Sequence, residues 1–458
     1  MTTAEPLAQY QLDGAALLAS RYRASIFDEP GLGKTAQAIR ARELVGGGQT
    51  LVICPAGARP VWVGQFALWG RDGAKVIRAE TVFDLLTWQR GRCDVLIIGY
   101  EQAVNWRADL ESDFFDVLII DEAHYMKNPD AARTKAIIGE HNKPGGIALR
   151  ASYVWCLTGT PAKNDPADIW APLWLSGEMR LGYFAFQRTY FRQRRTTFST
   201  SNRVRPDKVA ELRAIMDKMS YMRTFEDVGE QLPPMRASEL PIDGDSSQVV
   251  EYLKQYPGLS EAIITALETD GKLSFDNGIH IATLRAMIAE AKAPVYAKVI
   301  TDELLNGGVD KLVVMGHHRA ALELVNQHLL HHGIHSEMIV GGVPDYQREK
   351  IVNSFQSNDD PNGVRVIVGN ITAAGTALTL TAACRIDMLE SAFTPADNSQ
   401  AIKRVRRKGQ KRMTLVRLVS LADSFDQVVT GIVLRKVETI RETFGRDQLF
   451  NELTTALD

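Results

Sequence analysis

The sequence predicts an α/β protein made of two tandem domains, each with a parallel sheet covered by helices and each with a helical protrusion. Three observations predict this fold. Short, unbroken apolar runs such as residues 51–55 and 95–98 alternate with helical patterns, which is typical of parallel strands buried on both faces. A second series of such runs begins at residue 311. A glycine-rich loop at residues 28–35 connects an apolar run to a helical pattern, which is the context of a nucleotide site.

Gln11 lies about twenty residues ahead of that loop, where residues 7–14 run into a helical pattern. Its side-chain amide both donates and accepts hydrogen bonds, so it can pair with the edge of adenine. A solvated helix residue is the alternative for Gln11. The loop downstream favours adenine recognition, and ATP is therefore the predicted nucleotide.

The loop from Asp28 to Thr35 has the sequence DEPGLGKT. Gly31 and Gly33 let backbone N–H groups turn around phosphate oxygens, Lys34 can reach the β and γ phosphates, and the Thr35 hydroxyl can bind Mg²⁺ at the start of the following helix. The strict phosphate-loop pattern has a glycine at the position of Asp28, so a glycine turn before an ordinary helix stays open as the alternative. ATP and Mg²⁺ are the predicted cofactors.

Two carboxylates follow the apolar run at residues 117–120. Asp121 and Glu122 would lie at the carboxyl end of a parallel strand, where α/β proteins bind ligands. Asp121 can hold the Mg²⁺ shared with Thr35, and Glu122 can orient and deprotonate the attacking water. Such a pair is in isolation more often a helix N-cap, but the upstream loop favours catalysis. The turn at residues 158–161 could sense the γ phosphate or be a plain turn.

The charge is distributed unevenly along a chain whose net charge is −2. Residues 187–223 carry ten Lys and Arg against three acids, a local net charge of +7, and include Arg194 and Arg195. Contact with a phosphate backbone and a solvated helical face are equally compatible with this segment. Residues 226–270 carry ten acids against two bases, so we expect them to stay away from phosphate.

The second series of apolar runs has no phosphate loop and ends near residues 400–410, QAIKRVRRKGQ. Arg404 and Arg407 are three residues apart on a predicted helix, so both can point the same way. An arginine delivered to the transferred γ phosphoryl group stabilises the charge that spreads over it. A generic basic helix is the alternative interpretation.

Composition limits the class and the compartment. The chain has 458 residues, of which 45% are hydrophobic and 24% charged, as in globular proteins of two or three domains. It has no run of about 18 apolar residues and no signal-peptide pattern at residues 1–5, so we expect a soluble protein without a membrane partner. We expect it to be cytoplasmic, or nuclear if the source is a eukaryote. We also expect it to be monomeric. The four distant cysteines indicate buried thiols. The histidines between residues 317 and 335 have no nearby cysteine, and we predict no metal site there.

These motifs resemble those of Swi/Snf-type ATPases of helicase superfamily 2. The resemblance rests on the segments at residues 10–11, 28–35, 54–69, 99–101, 121–124 (DEAH), 157–164, 222–234 and 400–410. In this family Asp is usual at the position of Asp28, whereas Pro30 replaces a Met and Arg406 replaces a His. The resemblance covers nearly the whole chain, and residues 375–381 with 393–395 lean towards the HepA-related, annealing-helicase branch.

The resemblance implies two RecA-like lobes. The first is an ATP-binding lobe at residues 1–228 with a protrusion at about 176–223, and the second is a lobe at residues 229–458 with a protrusion at about 245–300. It also implies a nucleotide contact at Gly375. The DNA contacts that it implies are Arg59, Trp62, Tyr100, Thr372, Arg194 and Arg195.

From this we expect an ATP-dependent translocase that moves along double-stranded DNA and acts on branched DNA such as forks or junctions. The alternatives are a helicase that separates the strands of DNA or RNA, and an ATP-gated clamp that displaces a DNA-bound protein. A scaffold that does not hydrolyse ATP is disfavoured because Lys34, Asp121, Glu122, Arg404 and Arg407 are all present.

Overall fold

The structure is a computed structural model that describes residues 6–140, 145–161, 166–195, 200–229, 232–268, 275–357, 362–371, 378–393 and 395–443. The chain divides between residues 230 and 231 into two compact units, except that residues 194–195 and 200–201 group with the second unit. Each unit contains one large parallel sheet. The predicted fold class, two α/β domains with parallel sheets and surrounding helices, is confirmed.

The first unit contains a seven-stranded sheet in the order β3-β4-β2-β5-β6-β1-β9, in which all pairs are parallel. Its strands are β1 (Arg23–Ile26), β2 (Thr50–Cys54), β3 (Val76–Arg78), β4 (Val95–Gly99), β5 (Phe115–Asp121), β6 (Ala151–Leu157) and β9 (Ser220–Tyr221), and two strands outside this sheet, β7 (Phe191–Arg195) and β8 (Thr200–Val204), lie between β6 and β9 in the chain. Every residue of β2 and β4 is buried, which explains why these strands are continuous apolar runs in the sequence.

Helices cover this sheet on both faces. They are α1 (Gln9–Ser20), α2 (Lys34–Leu44), α3 (Arg59–Trp69), α4 (Val82–Gln89), α5 (Tyr100–Asn105), α6 (Arg107–Leu110), α7 (Ala132–Ile138), α8 (Trp170–Ser176), α9 (Tyr183–Tyr190) and α10 (Val209–Met219). Short 3₁₀ helices lie at Ala56–Ala58, Ala123–Met126, Ile147–Arg150, Pro166–Ile169 and Pro206–Lys208.

The segment predicted as a helical protrusion, residues 176–223, is not helical throughout. Between α9 and α10 it contains a hairpin, because β7 and β8 form a separate two-stranded sheet. The sequence of the hairpin, FRQRR and TSNRV, lacks the alternation of apolar and polar residues that indicates strands. The segment then returns to the main sheet through β9, which pairs with β1.

The second unit contains a six-stranded sheet in the order β10-β15-β14-β11-β13-β12, again with all pairs parallel. Its strands are β10 (Met235–Ile242), β11 (Leu312–Gly316), β12 (Ser336–Ile339), β13 (Val366–Asn370), β14 (Arg385–Met388) and β15 (Thr414–Leu421). Its helices are α11 (Ser247–Gln255), α12 (Leu259–Glu268), α13 (Phe275–Leu305), α14 (Arg319–His331), α15 (Asp345–Gln356), α16 (Pro395–Val405) and α17 (Phe425–Thr443).

The second predicted protrusion, residues 245–300, is mostly helical where it is described, but only part of it lies outside the core of its unit. Ala293, Tyr296 and Ile300 of α13 are fully buried against the sheet in one cluster with Val314 and Val368. The second half of α13 is therefore a core helix. None of the helices in the described ranges is both long and apolar enough to cross a membrane.

Candidate active site

Three motifs meet at the carboxyl edge of the first sheet. The strand register places Ile26 of β1 beside Leu157 of β6, and Leu157 beside Asp121 of β5. Because the three strands are parallel and end at one level, the glycine loop after β1, the turn after β6 and the acid pair after β5 emerge side by side.

The loop places an ammonium group in its own centre. Gly33 has φ 75°, a left-handed backbone that favours glycine, and α2 starts at the next residue. Lys34 Nζ donates to the carbonyl oxygens of Asp28 at 2.7 Å and Glu29 at 3.5 Å. The positive charge that we predict for phosphate binding thus lies within the loop, above the N-terminus of a helix.

Gln11 also contacts this loop. Its Oε1 accepts a hydrogen bond from the backbone N–H of Ala8 at 3.0 Å, and its Nε2 donates to the carbonyl oxygen of Leu32 at 3.3 Å. A Cβ atom added at Gly33 would lie 2.3 Å from Gln11 Nε2, so glycine is required here by close approach as well as by its φ angle. The structure therefore places the predicted adenine-reading amide directly against the phosphate loop.

Asp121 ends β5 in a buried position. Burial and the charge of Glu122 raise the pKa of Asp121 to about 6, although a hydrogen bond from Trp62 and the charge of Lys34 oppose the rise. Trp62 Nε1 donates to Asp121 Oδ2 at 2.8 Å, and the backbone N–H of Glu122 donates to Oδ1 at 3.0 Å. Two adjacent carboxylates in this setting favour a nearby cation.

Glu122 has a left-handed backbone with φ 51° and ψ 51°, which is rare for a residue with a side chain and costs on the order of 1–2 kcal/mol. The Tyr100 hydroxyl lies 2.8 Å from the carbonyl oxygen of Asp121 and 3.3 Å from that of Glu122, which fixes this turn. Burial and the charge of Asp121 raise the pKa of Tyr100, so its hydroxyl remains a donor.

His124 connects the acid pair to the turn after β6. Its Nδ1 lies 3.2 Å from Glu122 Oε2 and 3.0 Å from Thr158 Oγ1. Thr158 is fully buried, and its Oγ1 also accepts from the backbone N–H of Thr160. The predicted phosphate-sensing turn and the predicted catalytic base thus contact the same imidazole nitrogen.

Trp62 and Tyr100, which were predicted to contact DNA, are buried in the first unit. Trp62 is 1% exposed and Tyr100 is 5% exposed, and both hold the end of β5. Their side chains present no surface to a duplex, so these two predicted contacts are corrected. Arg59 lies at the start of α3, where its Nη1 donates to the carbonyl oxygen of Ala79 at 3.0 Å and to Gln102 Oε1 at 3.2 Å, and its DNA contact stays a prediction.

The bond from Trp62 to Asp121 leads to a testable expectation. Trp62→Phe removes the indole N–H and keeps an aromatic ring, so Asp121 loses a donor worth about 1 kcal/mol. We expect the Mg²⁺ concentration that supports half-maximal nucleotide binding to rise about fivefold, as measured in a Mg²⁺ titration. The matched control is Trp69→Phe on the same helix, whose indole donates to Gln65 instead. Equal shifts in both variants would contradict a link from Trp62 to the metal carboxylate.

The two predicted arginines lie near the end of α16 in the second unit, but not on one helix. Arg404 is buried in the last turn of α16, whereas Arg407 follows the helix, which ends at Val405. The expectation that a helical spacing aligns them was wrong. Arg407 Nη1 donates to the carbonyl oxygen of Leu378 at 3.2 Å and to Thr379 Oγ1 at 2.9 Å, and burial lowers the pKa of Arg407.

Gln410 ends this motif and folds it back onto the helix. Its Nε2 donates to the carbonyl oxygens of Ala383 at 2.6 Å and Val405 at 3.2 Å. Arg406, for which the sequence offers no role, donates from Nε to the carbonyl oxygen of Pro233 at 3.1 Å. Arg406 therefore connects the motif to the first residues of its own unit.

Some predicted site residues cannot be placed. Thr372 and Gly375 lie outside the described residues, and the side chains of Arg194 and Arg195 are not described. Within the described ranges, no group of three or more His, Cys, Asp or Glu residues could hold a metal ion.

The first two histidines of the 317–335 group lie at the carboxyl end of β11, beside Glu390. Glu390 Oε2 accepts from the backbone N–H groups of His317 and His318, each at 2.8 Å, and Oε1 lies 2.6 Å from His318 Nδ1. Burial alone would raise the pKa of Glu390, but these bonds to His317 and His318 lower it to about 2. Burial and the charge of Arg285 lower the pKa of His317 from 6.5 to about 4.

The second unit should therefore lose stability in mild acid through His317. Since its pKa is lower in the folded state, the unfolded chain binds more protons between pH 6.5 and 4, and stability falls as the pH falls through that range. His317→Asn should reduce the loss of unfolding free energy between pH 7 and pH 5 by about 1–2 kcal/mol in urea titrations. The control is the exposed His331→Asn, and an identical loss in all three proteins would contradict the expectation.

Comparison with known proteins places these motifs in a family. Residues 10–290 match the model of the SNF2-related domain, and residues 296–409 match that of the helicase conserved C-terminal domain. The chain belongs to the SNF2-related family. SNF2 relatives include a Caenorhabditis elegans SWI/SNF-related matrix-associated actin-dependent regulator of chromatin subfamily A-like protein 1 homolog, 26% identical over 95% of this chain and 61% of the relative. Another is the mouse DNA annealing helicase and endonuclease ZRANB3, 26% identical over 96% of this chain and 41% of the relative.

A solved structure, the Sulfolobus solfataricus SWI2/SNF2 ATPase core in complex with dsDNA, aligns with 98% of this chain and 97% of that chain, at 19% identity and a TM-score of 0.44. This SNF2 chain spans between about two fifths and three fifths of the length of the two curated relatives.

Three contributors to the SNF2 site were missed by sequence reasoning. His124 was seen only as part of the DEAH sequence and Arg223 only as one of ten basic residues, and Gln37 was not singled out. Arg223 Nη2 donates to Asp28 Oδ2 at 2.6 Å, and Gln37 Nε2 donates to the same oxygen at 3.0 Å. One signal was available, because a carboxylate at the end of a buried strand needs a cationic partner.

Proposed function

We propose that this chain is a DNA-stimulated ATPase that uses hydrolysis to move along double-stranded or branched DNA. The observation that carries the proposal is the alignment of Ile26, Leu157 and Asp121, which brings the phosphate loop, the turn at Thr158 and the acid pair to one edge of one sheet. Membership of the SNF2-related family supports it.

The loop supplies the phosphate contacts. Backbone N–H groups at the start of α2 and the Lys34 ammonium offer positive charge to the β and γ phosphates of ATP. Lys34 now donates to the carbonyl oxygen of Asp28, so binding exchanges a neutral acceptor for a charged one, which makes a stronger hydrogen bond.

The residues around Asp121 fit Mg²⁺. Carboxylate and hydroxyl oxygens are the ligands that this hard cation prefers, and the raised pKa of Asp121 reflects burial beside a second carboxylate, which a divalent charge would relieve. Asp121 and Thr35 would hold the ion. When bound, Mg²⁺ would neutralise charge on the phosphate oxygens.

Glu122 is the proposed general base. Its backbone is fixed in the left-handed region, and its carboxylate is oriented by His124, so the group that would receive the proton from water has little freedom. His124 also contacts Thr158, and this contact would make the position of the base depend on the turn after β6.

Phosphate contacts are the proposed mode of DNA binding. The +7 charge of residues 187–223 suits a phosphate backbone, and the relatives named above include a DNA annealing helicase. Action on forks or junctions is part of this proposal, and the annealing activity in the name of that relative is compatible with it. Binding through phosphates would be nearly independent of sequence and steeply dependent on salt.

The deciding experiment compares ATP hydrolysis with duplex DNA, single-stranded DNA, RNA and no nucleic acid, with Lys34→Ala as the background control. We expect duplex DNA to stimulate the rate most strongly. Stimulation by RNA alone would contradict the proposal. Displacement of a triplex-forming strand without unwinding of the duplex would favour translocation over a strand-separating helicase. DNA binding that depends on ATP, with no displacement of the triplex-forming strand, would favour a clamp.

A further inference from the structure

The chain leaves the first unit along the phosphate-binding loop. We call residues 220–229 the exit segment. The backbone N–H of Phe27 donates to the carbonyl oxygen of Tyr221 at 2.7 Å, and that of Glu29 donates to the carbonyl oxygen of Arg223 at 2.8 Å. The backbone N–H of Phe225 donates back to Glu29 Oε2 at 3.1 Å. The loop and the exit segment are thus hydrogen-bonded at alternate residues.

A buried ion pair joins the same two segments. Asp28 is 0% exposed, and its carboxylate receives two bonds from one guanidinium, Arg223 Nε to Oδ1 at 3.0 Å and Nη2 to Oδ2 at 2.6 Å. Gln37 of α2 adds a third bond to Oδ2 at 3.0 Å. A buried carboxylate with this geometry depends on its partner, because removal of Arg223 alone would leave an uncompensated charge.

Arg223 also contacts the segment that carries the predicted adenine reader. Its Nη1 donates to the carbonyl oxygen of Tyr10 at 2.7 Å, and its guanidinium lies over the rings of Tyr10 at 5.6 Å and Tyr221 at 4.8 Å. A Cβ atom added at Gly14 would lie 2.9 Å from Arg223 Nη2 and 1.8 Å from Gln37 Oε1. Helix α1, the phosphate loop, α2 and the exit segment therefore meet at one side chain.

The chain between the two units is also held by an arginine where it enters the second unit. There Arg406, which lies between Arg404 and Arg407, donates to the carbonyl oxygen of Pro233 at 3.1 Å. Each unit thus fixes its own end of the connecting chain to one of its predicted nucleotide motifs.

We propose that Arg223 is a positioning residue that couples the conformation of the phosphate-binding loop to the exit segment. This inference rests on the proposed ATPase function. Lys34 Nζ donates to the carbonyl oxygen of Asp28, whose carboxylate is held by Arg223. A phosphate group that draws Lys34 away from the Asp28 carbonyl removes one of the bonds that hold Asp28 in place. Because Arg223 is bonded to the Asp28 carboxylate, a shift of Asp28 moves Arg223, and with it residues 224–229 of the exit segment.

The variants separate coupling from simple stability. Arg223→Gln leaves Asp28 charged, buried and unpaired, so we expect its melting temperature to fall most. Asp28→Asn keeps the size of the side chain and removes the charge, and the double variant Asp28→Asn/Arg223→Gln has no unpaired charge and should recover most of the lost melting temperature. Arg21→Gln, at an exposed arginine of the same unit, is the matched control.

Two measurements test the coupling in the stable variants. Titration with a fluorescent ATP analogue gives affinity, and hydrogen exchange of residues 224–229 with and without that analogue reports the exit segment. In the wild type and in Arg21→Gln, the analogue should slow exchange there by about fivefold or more. In the double variant and in Asp28→Asn, we expect affinity within about threefold of wild type, no slowing of exchange, and kcat for ATP lowered about tenfold with KM little changed.

Slowed exchange and normal kcat in both Asp28→Asn and the double variant would overturn the coupling. Asp28→Asn keeps the test decisive if the double variant does not fold. The exchange and affinity measurements need neither DNA nor turnover. If the wild type lacks DNA-stimulated hydrolysis, the proposed function fails, while the exchange comparison still decides whether Arg223 couples the loop to the exit segment.

Discussion

Replacing Glu122 with glutamine should keep ATP binding and almost abolish turnover. The amide has the size of the carboxylate but cannot accept a proton from the attacking water, and a positioned general base contributes about 10²- to 10⁴-fold to the rate. The backbone of Glu122 is fixed by its left-handed conformation and by the Tyr100 hydroxyl, so we expect the substitution to leave the loop in place. Phosphate release at saturating ATP and duplex DNA measures the loss of turnover.

The control is Glu323→Gln, at an exposed position of α14 that pairs only with Arg319 in the described contacts. It should hydrolyse ATP like the wild type. Nucleotide affinity of Glu122→Gln, measured with a fluorescent analogue, should stay within about threefold of wild type because Lys34 and the loop are unchanged. Turnover of Glu122→Gln at the rate of the control would remove Glu122 from the mechanism.

The central strands of both sheets and one outer strand, β12, were predictable from the sequence, whereas the outer strands β3, β9 and β10 were not. Strands β2, β4 and β11 and residues 117–120 of β5 are buried on both faces, so they are short apolar runs in the sequence. Strand β10 is an edge strand with the sequence MRASELPI. Because it mixes exposed polar residues with a proline, its sequence does not have the apolar pattern that indicates a strand. Strand β9 has only two residues, which is too short to form a pattern.

Within the site, residues in local motifs were predictable, whereas partners distant in sequence were not. Asp121 ends β5, Glu122 follows it, and Lys34 ends the glycine loop that follows β1, so each residue belongs to a short motif next to a strand. Trp62 is 59 residues from Asp121, and Arg223 is 195 residues from Asp28. A basic segment or an apolar helix offers many arginines or aromatic residues, and only the packed structure selects the one that reaches a given carboxylate.

The error at Arg407 has a local cause. Residues 400–408 continue a helical pattern, and nothing in their side chains opposes a longer helix. The structure ends α16 at Val405 because the Gln410 amide donates to the carbonyl oxygen of Val405, and Gly409, with φ 99°, lets the chain turn back. A side chain that caps a helix from five residues beyond its end is not visible in helical periodicity.

Arg407→Ala should lower hydrolysis strongly and leave DNA binding intact. An arginine that stabilises the charge of a transferred γ phosphoryl group is worth about 10³- to 10⁵-fold in rate in GTPases. Although burial lowers the pKa of Arg407, a guanidinium remains charged at neutral pH, and its bonds to the Leu378 carbonyl and the Thr379 hydroxyl hold it in one direction.

Arg407→Lys separates charge from geometry in this prediction. Lysine keeps the positive charge but lacks the planar fork, so its rate should lie between those of wild type and Arg407→Ala. Duplex affinity, measured by fluorescence anisotropy, should stay within about threefold for both, as for the exposed control Arg319→Ala. A role limited to holding residues 378–379 would instead lower the melting temperature while leaving single-turnover hydrolysis near the rate of the control. Because the two roles change different measurements, the pair of variants decides whether Arg407 acts on the phosphoryl group or only on its own unit.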